Sequence, residues 1–562
     1  MKEKLVCIVV YAIIILLVLP VTSMPIYQSL KSLNEQPTLE GEWWPMLGHD
    51  PQHTGCSTSE APDSNMVDWT YDTGSAIRFS SPVVVDDKLY IGTGEIGSKH
   101  LATPHELRTQ SVLEWIGHST LVGGRGTGGM FCIDVTTGEK LWDVTTHGEV
   151  LSIPVVSQGY VYVLTCDAET FQGDLYCIDA LTGEIEWQST YFNLITTPTI
   201  DENKLFVLIG DPSDGEGKLL CLDPTDGSEL WNHSTGVNNL AMYSAPAVYD
   251  GMVYFVSIKN TDVNLYCVDA DTGEDEWSTF LNIIEMGVGI TTPVVYNDHI
   301  YVNSLESYYS NQSVRNILFC FDADDGDEVW RYRMNENDLS FSIPAVYNDA
   351  IYFTYAENYW SYAGLACADA ATGDILWDER IYSDFFTVSQ PAIADEKLYL
   401  CSMNQFEYAG MLNCYDVLSG ETLWTYPLDE MYMTDVSPAV ADGNVYAASP
   451  FGLIYSFEDK LKIAEISGGL ASVKVGIENT DTSDFTDVDW SITVTGGLLG
   501  RINVSNQETL ETLAAQSIET IRAFPVFGFG AVNITVSVSM EGINTITQTK
   551  PGLVFGIFVI VT

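Results

Sequence analysis

The chain has 562 residues, of which 46% are hydrophobic, so it can bury more than one sizeable core. It carries 77 acidic and 23 basic residues, a formal net charge of −54. This balance excludes a nucleic-acid partner, because phosphate contacts depend on Lys and Arg, and it argues against an anionic membrane surface. It suits a solvated exported protein, a high-salt habitat or divalent-cation binding.

The first 23 residues have the pattern of a secretory signal peptide. A short basic lead, MKEK, precedes the apolar run LVCIVVYAIIILLVL, and the small residues VTS follow. The run is short for a membrane span, but an uncleaved signal anchor stays open because no clean A-x-A cleavage pattern is present. We therefore predict an extracellular or cell-surface protein, with residues 24–42 as a linker and membrane attachment only through an uncleaved N-terminus.

The stretch EWWPMLGHDPQHTG, residues 42–55, combines two tryptophans, two histidines and an aspartate. The i, i+4 spacing of His49 and His53, with Asp50 between them, suits a metal site on one face of a helix. The proline that follows Asp50 disfavours helical geometry there, so the two imidazoles need not share a face. We favour a structural clasp that packs one of the tryptophans across the fold, and we keep the metal site as the alternative.

Two signatures repeat along residues 43–459 at a spacing of about 45 residues, which indicates propeller blades or a solenoid. The first, as in SSPVVVDDKLYIG, is an apolar run, a polar turn and an alternating run, and it occurs eight times. The second, as in FCIDVTTGEKLW, occurs seven times and ends in tryptophan. Each unit therefore contains four strands joined by hairpin turns, which predicts an all-β, eight-bladed β-propeller.

The eighth repeat lacks the second signature, and DWTYDTG, residues 68–74, supplies an equivalent strand. Pairing this segment with the last repeat would close the ring and leave no free strand edge. Eight equivalent tryptophans are expected to bury their rings between neighbouring blades. They are Trp69, Trp142, Trp187, Trp231, Trp277, Trp330, Trp377 and Trp424.

The other residues of the second signature also have structural interpretations. Its aspartate can accept backbone N–H groups in the following turn, and the glycine four residues later suits a positive φ. Its cysteine recurs in seven units, so these thiols belong on equivalent strands of different blades and are interpreted as small buried side chains. A hairpin register places the tyrosine of the preceding run opposite the cysteine.

The first blade is predicted to contain an insertion, residues 95–129. Within it, PHELRTQSVLEWIG has the proline start, early glutamate and glycine stop of a short helix. The insertion is either a lid over one face of the ring or a ligand loop. The candidate ligand residues are His105, Glu106, Arg108, Trp115, His118 and Arg125.

Acidic loops offer further candidates for a cation, since Ca²⁺ prefers oxygen ligands. The segment GDPSDGEGK contains Asp211, Asp214 and Glu216. The segment DADDGDE is similar in composition to a calcium loop, but it is in register with the ordinary turn of its blade.

The repeat SPVVVDDKLYIG…CIDVTTGEKLW resembles the tryptophan-docking repeats of the pyrroloquinoline quinone (PQQ) type β-propeller superfamily, which includes quinoprotein alcohol dehydrogenases and an outer-membrane assembly lipoprotein. WWPMLGHDPQHTGCS is similar to the leader that precedes the first blade in many of these proteins. For the dehydrogenases, the resemblance implies a quinone beside a vicinal disulfide, a calcium or lanthanide ion held by acids, and an Asp base. This sequence has no Cys-Cys dipeptide, so no cofactor is expected, and PQQ with calcium is the alternative.

After residue 459 the repeat stops, and residues 460–562 alternate in short runs split by Gly, Asn, Asp and Ser. This pattern predicts a small antiparallel β-sandwich. VKVGIENTDTSDFTDVDWSITVTGG resembles the immunoglobulin-like modules of prokaryotic surface proteins. The final run, GLVFGIFVIVT, is too short for a membrane span and is predicted to be a buried strand.

The sequence therefore predicts an exported, non-catalytic propeller followed by an immunoglobulin-like module. Its predicted role is binding or scaffolding at the cell surface, with a protein or glycan partner. Two alternatives remain, a PQQ-dependent quinoprotein oxidoreductase and a carbohydrate-binding surface protein.

Overall fold

The computed structural model describes 17 parts of the chain, and every structural statement below concerns these parts alone. They are residues 43–77, 80–94, 127–167, 172–192, 196–211, 216–237, 244–259, 262–283, 292–308, 313–336, 338, 342–357, 362–381, 389–404, 409–430, 436–540 and 543–561. The predicted signal peptide and linker lie outside them, as do residues 95–126 of the predicted insertion.

Eight four-stranded antiparallel units, the blades, make up most of the described chain. Blade one consists of β2 Val83–Val85, β3 Lys88–Thr93, β4 Thr127–Asp134 and β5 Lys140–His147. Blade two consists of β7 Val155–Ser157, β8 Tyr160–Cys166, β9 Gln172–Asp179 and β10 Ile185–Phe192. Blade three consists of β11 Thr199–Asp201, β12 Lys204–Asp211, β13 Glu216–Leu222 and β14 Glu229–Val237. Blade four consists of β15 Ala247–Tyr249, β16 Met252–Lys259, β17 Asp262–Asp269 and β18 Asp275–Ile283. A two-residue strand, β6 Glu149–Val150, pairs with β8.

Blades five to eight follow the same plan. Blade five consists of β19 Val294–Tyr296, β20 His299–Tyr308, β21 Ser313–Asp322 and β22 Glu328–Arg333. Blade six consists of β23 Ala345–Tyr347, β24 Ala350–Glu357, β25 Tyr362–Asp369 and β26 Ile375–Ile381. Blade seven consists of β27 Ala392–Ala394, β28 Lys397–Asn404, β29 Ala409–Asp416 and β30 Thr422–Glu430. Blade eight consists of β31 Ala439–Ala441, β32 Asn444–Ala448, β33 Leu453–Phe457 and β1 Val67–Asp72. The short first strands of the blades neighbour one another in a closed ring, so they line the axis.

The ring closes as the sequence predicts, because β1 from near the start of the propeller is the outer strand of blade eight. It pairs antiparallel with β33, where Trp69 lies opposite Ser456 and Tyr71 opposite Ile454. The first and last blade segments of the chain are therefore joined in one sheet. The predicted eight-bladed, all-β propeller is confirmed.

The repeated tryptophans dock each blade onto the next. Trp142 of blade one donates its indole N–H to the carbonyl oxygen of Ala180 in blade two, at 3.1 Å between Nε1 and O. Tyr90 donates its hydroxyl to the same carbonyl at 3.2 Å. Gly183, at φ 77°, lies against the Trp142 ring, where a Cβ would come within 2.8 Å. The same pair of donors meets at Pro224, Ala323 and Ala370 in later blades.

The cysteines of the repeat are buried and lie opposite the aromatic residue of the preceding strand. Cys177 faces Tyr162, and Cys414 faces Tyr399. All ten described cysteines are free thiols, nine of them buried. The predicted hairpin register is thus confirmed, and these thiols act as small core side chains.

Two sheets form the β-sandwich that follows the propeller. The first sheet contains β34 Leu461–Gly468, β35 Val473–Asn479 and β38 Ser517–Ala523. The second sheet contains β36 Phe485–Gly496, β37 Ile502–Leu513, β39 Gly528–Met540, β40 Ile543–Gly556 and β41 Phe558–Val561. A 3-10 turn, η1, lies at Leu498–Gly500. Their core includes the buried Val475, Trp490, Ile492 and Val536. The predicted antiparallel sandwich is confirmed, and its immunoglobulin-like character stays a prediction.

The prediction of a buried final strand is wrong. In β40 and β41 the side chains alternate: Val554 and Val559 are buried, whereas Leu553, Phe555 and Phe558 are exposed. These strands lie at the edge of the five-stranded sheet, and only one of their faces has a partner sheet. The part of the chain that the structure describes includes no helix with the length and hydrophobicity that a membrane crossing requires.

Candidate functional site

Residues 44–59, here called the channel segment, run along the inner strands of the propeller. Trp44 exchanges two backbone hydrogen bonds with Val84 of blade one, each 2.9 Å from N to O. Carbonyl oxygens of the segment then accept N–H groups from the inner strands of five further blades. The acceptors are the carbonyl oxygens of Pro45, Pro51, Gln52, Thr54 and Gly55, and the donors, in the same order, are the N–H groups of Val156, Val248, Val295, Val346 and Ile393. The free edges of these inner strands are therefore paired by the chain itself.

His53 lies fully buried within this segment. Its Nδ1 is 2.8 Å from the carbonyl oxygen of Leu47, and its Nε2 is 3.0 Å from that of Pro246 in blade four. Burial lowers the pKa of His53, an effect that the two carbonyl contacts and Asp50 oppose in part. The imidazole thus ties the channel segment to the ring.

The candidate metal set His49, Asp50 and His53 does not converge. Both histidines have positive φ, 75° and 62°, so they do not share a helix face. The Asp50 carboxylate accepts the N–H and the hydroxyl of Thr54, while the His49 ring lies edge-on to Trp44 with centroids 5.3 Å apart. Among the described residues no group of three His, Cys, Asp or Glu side chains is arranged to hold a metal ion. The contacts of the segment are those of a clasp.

The other predicted site residues lie largely outside the described parts. His105, Glu106, Arg108, Trp115, His118 and Arg125 all fall within residues 95–126. Of the acidic loop, Asp214 lies outside as well, and Asp211 and Glu216 are described only as backbone partners across the β12–β13 hairpin.

A polar group that the sequence did not single out lies where the insertion rejoins the propeller. Described chain resumes at Thr127, which pairs with His147 across β4 and β5. His147 Nδ1 is 3.1 Å from Asp174 Oδ2 in blade two. The Asp174 side chain is 2% exposed and that of His147 is 56% exposed. A buried carboxylate therefore holds an imidazole at the surface.

Asp174 is fully engaged by its neighbours. Gln188 Nε2 donates to Oδ2 at 3.0 Å, the Thr190 hydroxyl donates to Oδ1 at 2.5 Å, and the Tyr176 hydroxyl lies 3.4 Å from Oδ2. A carboxylate that accepts a hydrogen bond from Nδ1 fixes the orientation of its histidine and leaves Nε2 available to a partner. We call His147, Asp174, Tyr176, Gln188 and Thr190 the His147 group, and the end of the ring that carries it the insertion face.

The repeat itself contains the signal that could have found this group. Three residues before the cysteine of the repeat, other blades have Gly129, Lys218, Asn264, Ile317, Gly364 and Met411. Blade two alone has an acid there, Asp174. A departure from a structural repeat is a reason to look for a local role.

The fold defines a PQQ-type β-propeller with tryptophan docking, and comparison with known proteins agrees. The family model described as "Outer membrane protein assembly factor BamB" matches residues 92–191, 132–213, 172–305, 215–448 and 314–522. These matches cover well over half of the chain, so the chain belongs to this family. A search of curated proteins found no matching relative.

Solved structures share the fold at low sequence identity. A europium-containing methanol dehydrogenase is 12% identical with a TM-score of 0.51, covering 73% of this chain and 89% of that one. A quinohemoprotein alcohol dehydrogenase from Comamonas testosteroni is 13% identical with a TM-score of 0.51, covering 76% and 83%. BamB from Moraxella catarrhalis is 14% identical with a TM-score of 0.45, covering 70% and 98%. The first two likenesses show the fold alone.

The described residues do not fit the quinone site that the resemblance implies. That site needs adjacent cysteines in a disulfide, and the ten described cysteines are free thiols, nine of them buried. Burial raises the pKa of thiols such as Cys177 and Cys267 to about 12, so they stay protonated. The acids of the repeat, such as Asp179, accept N–H and hydroxyl groups of their own turn.

Proposed function

We propose that this protein is an exported, non-catalytic β-propeller that binds or scaffolds a partner at the cell surface through its insertion face. Membership of a family described as an outer-membrane assembly factor supports an exported binding role. The engagement of the repeated Tyr and Trp donors in bonds between blades supports a structural role for them.

The observation that carries this proposal is the contact between His147 and Asp174. The carboxylate, buried and saturated with donors, orients an imidazole that is more than half exposed. Such an imidazole offers a preoriented Nε2 to a partner, and pre-orientation lowers the entropy cost of binding. The equivalent position in the other repeats has no acid, so the repeat itself does not require Asp174.

The insertion fits this role by its composition. Residues 95–126 contain three histidines and three bases, Lys99, Arg108 and Arg125, beside three acids, Glu95, Glu106 and Glu114, so this stretch has no net charge in a chain with 77 acids and only 23 bases. A partner with hydroxyl groups, either a protein or a glycan, would complement this mixture of hydrogen-bonding side chains.

A pull-down with the full chain tests the proposal. Tagged wild-type protein, His147→Ala and a matched control, Asp325→Ala, are incubated with surface extract of the native source and with a glycan array. Asp325 lies in an exposed turn at the opposite end of the strands. We expect one partner to be retained by wild type and control and lost about tenfold with His147→Ala. Equal retention by all three proteins would overturn the proposal.

The fold likeness to two dehydrogenases favours a second candidate, a PQQ-dependent oxidoreductase. Titration of the protein with PQQ and calcium, followed by absorbance and by dye reduction with alcohols, tests it. Saturable binding with alcohol-dependent turnover would replace the binding function. We expect neither, because the described residues lack the paired thiols that the resemblance requires.

A further inference from the structure

The far end of the β-sandwich carries exposed apolar side chains on four neighbouring connections, residues 469–472, 497–501, 524–528 and 555–558, which we call the sandwich tip. Ala471 N donates to the Ile557 carbonyl and Val526 N to the Ala471 carbonyl, so separate parts of the chain meet there. Leu499 is 80% exposed and Phe527 64% exposed. Monomeric soluble proteins seldom expose apolar side chains in such a contiguous group without using them.

The tip points away from the propeller. β34 begins at Leu461, directly after Lys460, whose Nζ lies 3.0 Å from Asp68 Oδ1 of the propeller. β34 then ends at Gly468, next to the tip. Eight strand residues span roughly 26 Å, so the tip lies about that far along the sandwich from Lys460.

Charge divides the sandwich in the same direction. The stretches 466–477, 490–507, 520–540 and 542–562 contain four basic residues and no acidic residue. The described acids of the sandwich lie in its other segments, towards the propeller or midway along β34. Lys474 and Arg522 are cross-strand neighbours next to the tip, and Arg501 follows η1. In a chain of net charge −54, this end of the sandwich combines exposed apolar groups with basic residues.

We propose that the sandwich tip inserts into the surface of a lipid bilayer, with Arg501, Arg522 and Lys474 contacting the headgroups. Aromatic and aliphatic side chains that project from a rigid scaffold, surrounded by Arg and Lys, are suited to the boundary between headgroups and acyl chains. The acids of the propeller do not prevent this contact, because charges more than about 8 Å away are screened at physiological ionic strength. A second copy of the chain fits less well, since two tips would bring their arginines together.

Vesicle flotation of the full chain tests the inference. The vesicles are phosphatidylcholine alone or phosphatidylcholine with phosphatidylglycerol, and the proteins are wild type, the double variant Phe527→Ser/Phe555→Ser, and the matched control Leu181→Ser/Leu418→Ser. The control residues are 72% and 69% exposed, but they lie in propeller turns. We expect the tip variant to lose about tenfold or more in vesicle binding, and the control to match wild type.

The basic residues provide a second comparison. Arg501→Gln/Arg522→Gln should weaken binding to the anionic vesicles by about fivefold per residue and change binding to the neutral ones much less. If the tip variant floats like wild type, binding belongs to another segment, such as the apolar run 5–19, and the inference fails. If the tip variant instead changes the oligomeric state in light scattering without affecting flotation, the tip is a contact between copies, and the inference also fails.

A probe at the tip separates insertion from loss of folding. Phe527→Cys and Leu181→Cys are each labelled with an environment-sensitive dye, and the unsubstituted protein measures background labelling of the native thiols. We expect a blue shift and higher emission with vesicles for the dye at position 527 only. An unchanged spectrum at position 527 while the protein floats would contradict insertion of the tip.

Discussion

Trp142 and Tyr90, both in blade one, donate to one carbonyl oxygen of blade two, that of Ala180, at 3.1 and 3.2 Å. Two donors from different strands thus hold the next blade at a single point. Trp424 of blade seven differs, because blade eight lacks the turn that would supply the acceptor, and its Nε1 has no hydrogen-bond partner among the described residues. The missing signature of blade eight therefore has a structural consequence in blade seven.

The two tryptophans give a matched pair of substitutions. Trp142→Phe removes the bond to Ala180, whereas Trp424→Phe removes a similar volume from a buried ring without breaking a hydrogen bond. We expect the first to lower the free energy of unfolding by about 1 kcal/mol more than the second. Urea unfolding of both variants measures this difference. Equal losses would show that the indole bond contributes nothing measurable.

Alanine substitutions at Gly183 and Gly159 distinguish the stability cost of backbone strain from the cost of steric crowding. Both have positive φ, 77° and 82°, but only at Gly183 would a Cβ meet the Trp142 ring, at 2.8 Å. Gly159→Ala should cost about 1 kcal/mol through backbone strain alone. Gly183→Ala should cost about 1–3 kcal/mol more, because the indole must shift. Thermal unfolding checks the order, and a larger effect at Gly159 would contradict the docking geometry.

Much of this fold is predictable from the sequence because each blade repeats the same mechanical parts. The Asp turn, the positive-φ glycine and the tryptophan each act within a few residues or on the next repeat, so their spacing indicates their role. The closing strand was predictable as well, since Trp69 is the missing eighth tryptophan.

The candidate site was not predictable in the same way. The contact between His147 and Asp174 joins two blades, and the sequence separates these residues by a variable loop. The path of the channel segment depends on backbone carbonyls, which leave no side-chain pattern. The exposed face of the final strands also follows from the absence of a covering sheet, which alternation alone does not show.

Lys397 anchors the end of the N-terminal segment. Its Nζ lies 3.0 Å from the Ala61 carbonyl oxygen, 2.9 Å from Asp63 Oδ1 and 2.7 Å from Asp395 Oδ2, and its side chain is 10% exposed. We expect Lys397→Met to lower the free energy of unfolding by about 2 kcal/mol, because it leaves two carboxylates and a carbonyl without their cation.

Lys140 is the matched control for this prediction. It pairs with Asp143 at 2.5 Å on the surface, where both side chains are about 40% exposed. Lys140→Met should change the free energy of unfolding by less than about 1 kcal/mol. Denaturant titration of both variants measures the two losses in free energy of unfolding. Losses of similar size would show that Lys397 contributes no more to stability than a surface lysine.

His53 predicts a pH dependence of stability. Burial lowers its folded-state pKa below the ordinary 6.5. The unfolded chain then binds a proton below about pH 6.5 that the folded protein does not, so stability is complete above that pH and falls as pH drops towards the folded pKa. We expect His53→Gln to reduce this slope by up to about 1.4 kcal/mol per pH unit. The partly exposed His299 provides the control through His299→Gln, and identical slopes in all three proteins would contradict a buried neutral imidazole at position 53.

Site-specific photocrosslinking shows directly whether the insertion face binds a partner. A photoreactive phenylalanine analogue is placed at position 147 in one protein and at position 325, in a turn at the other end of the strands, in a second. Both proteins are then irradiated in surface extract of the native source. We expect one dominant crosslinked partner from position 147 and none from position 325. Equal crosslinking from both positions, or none from position 147, would contradict that expectation.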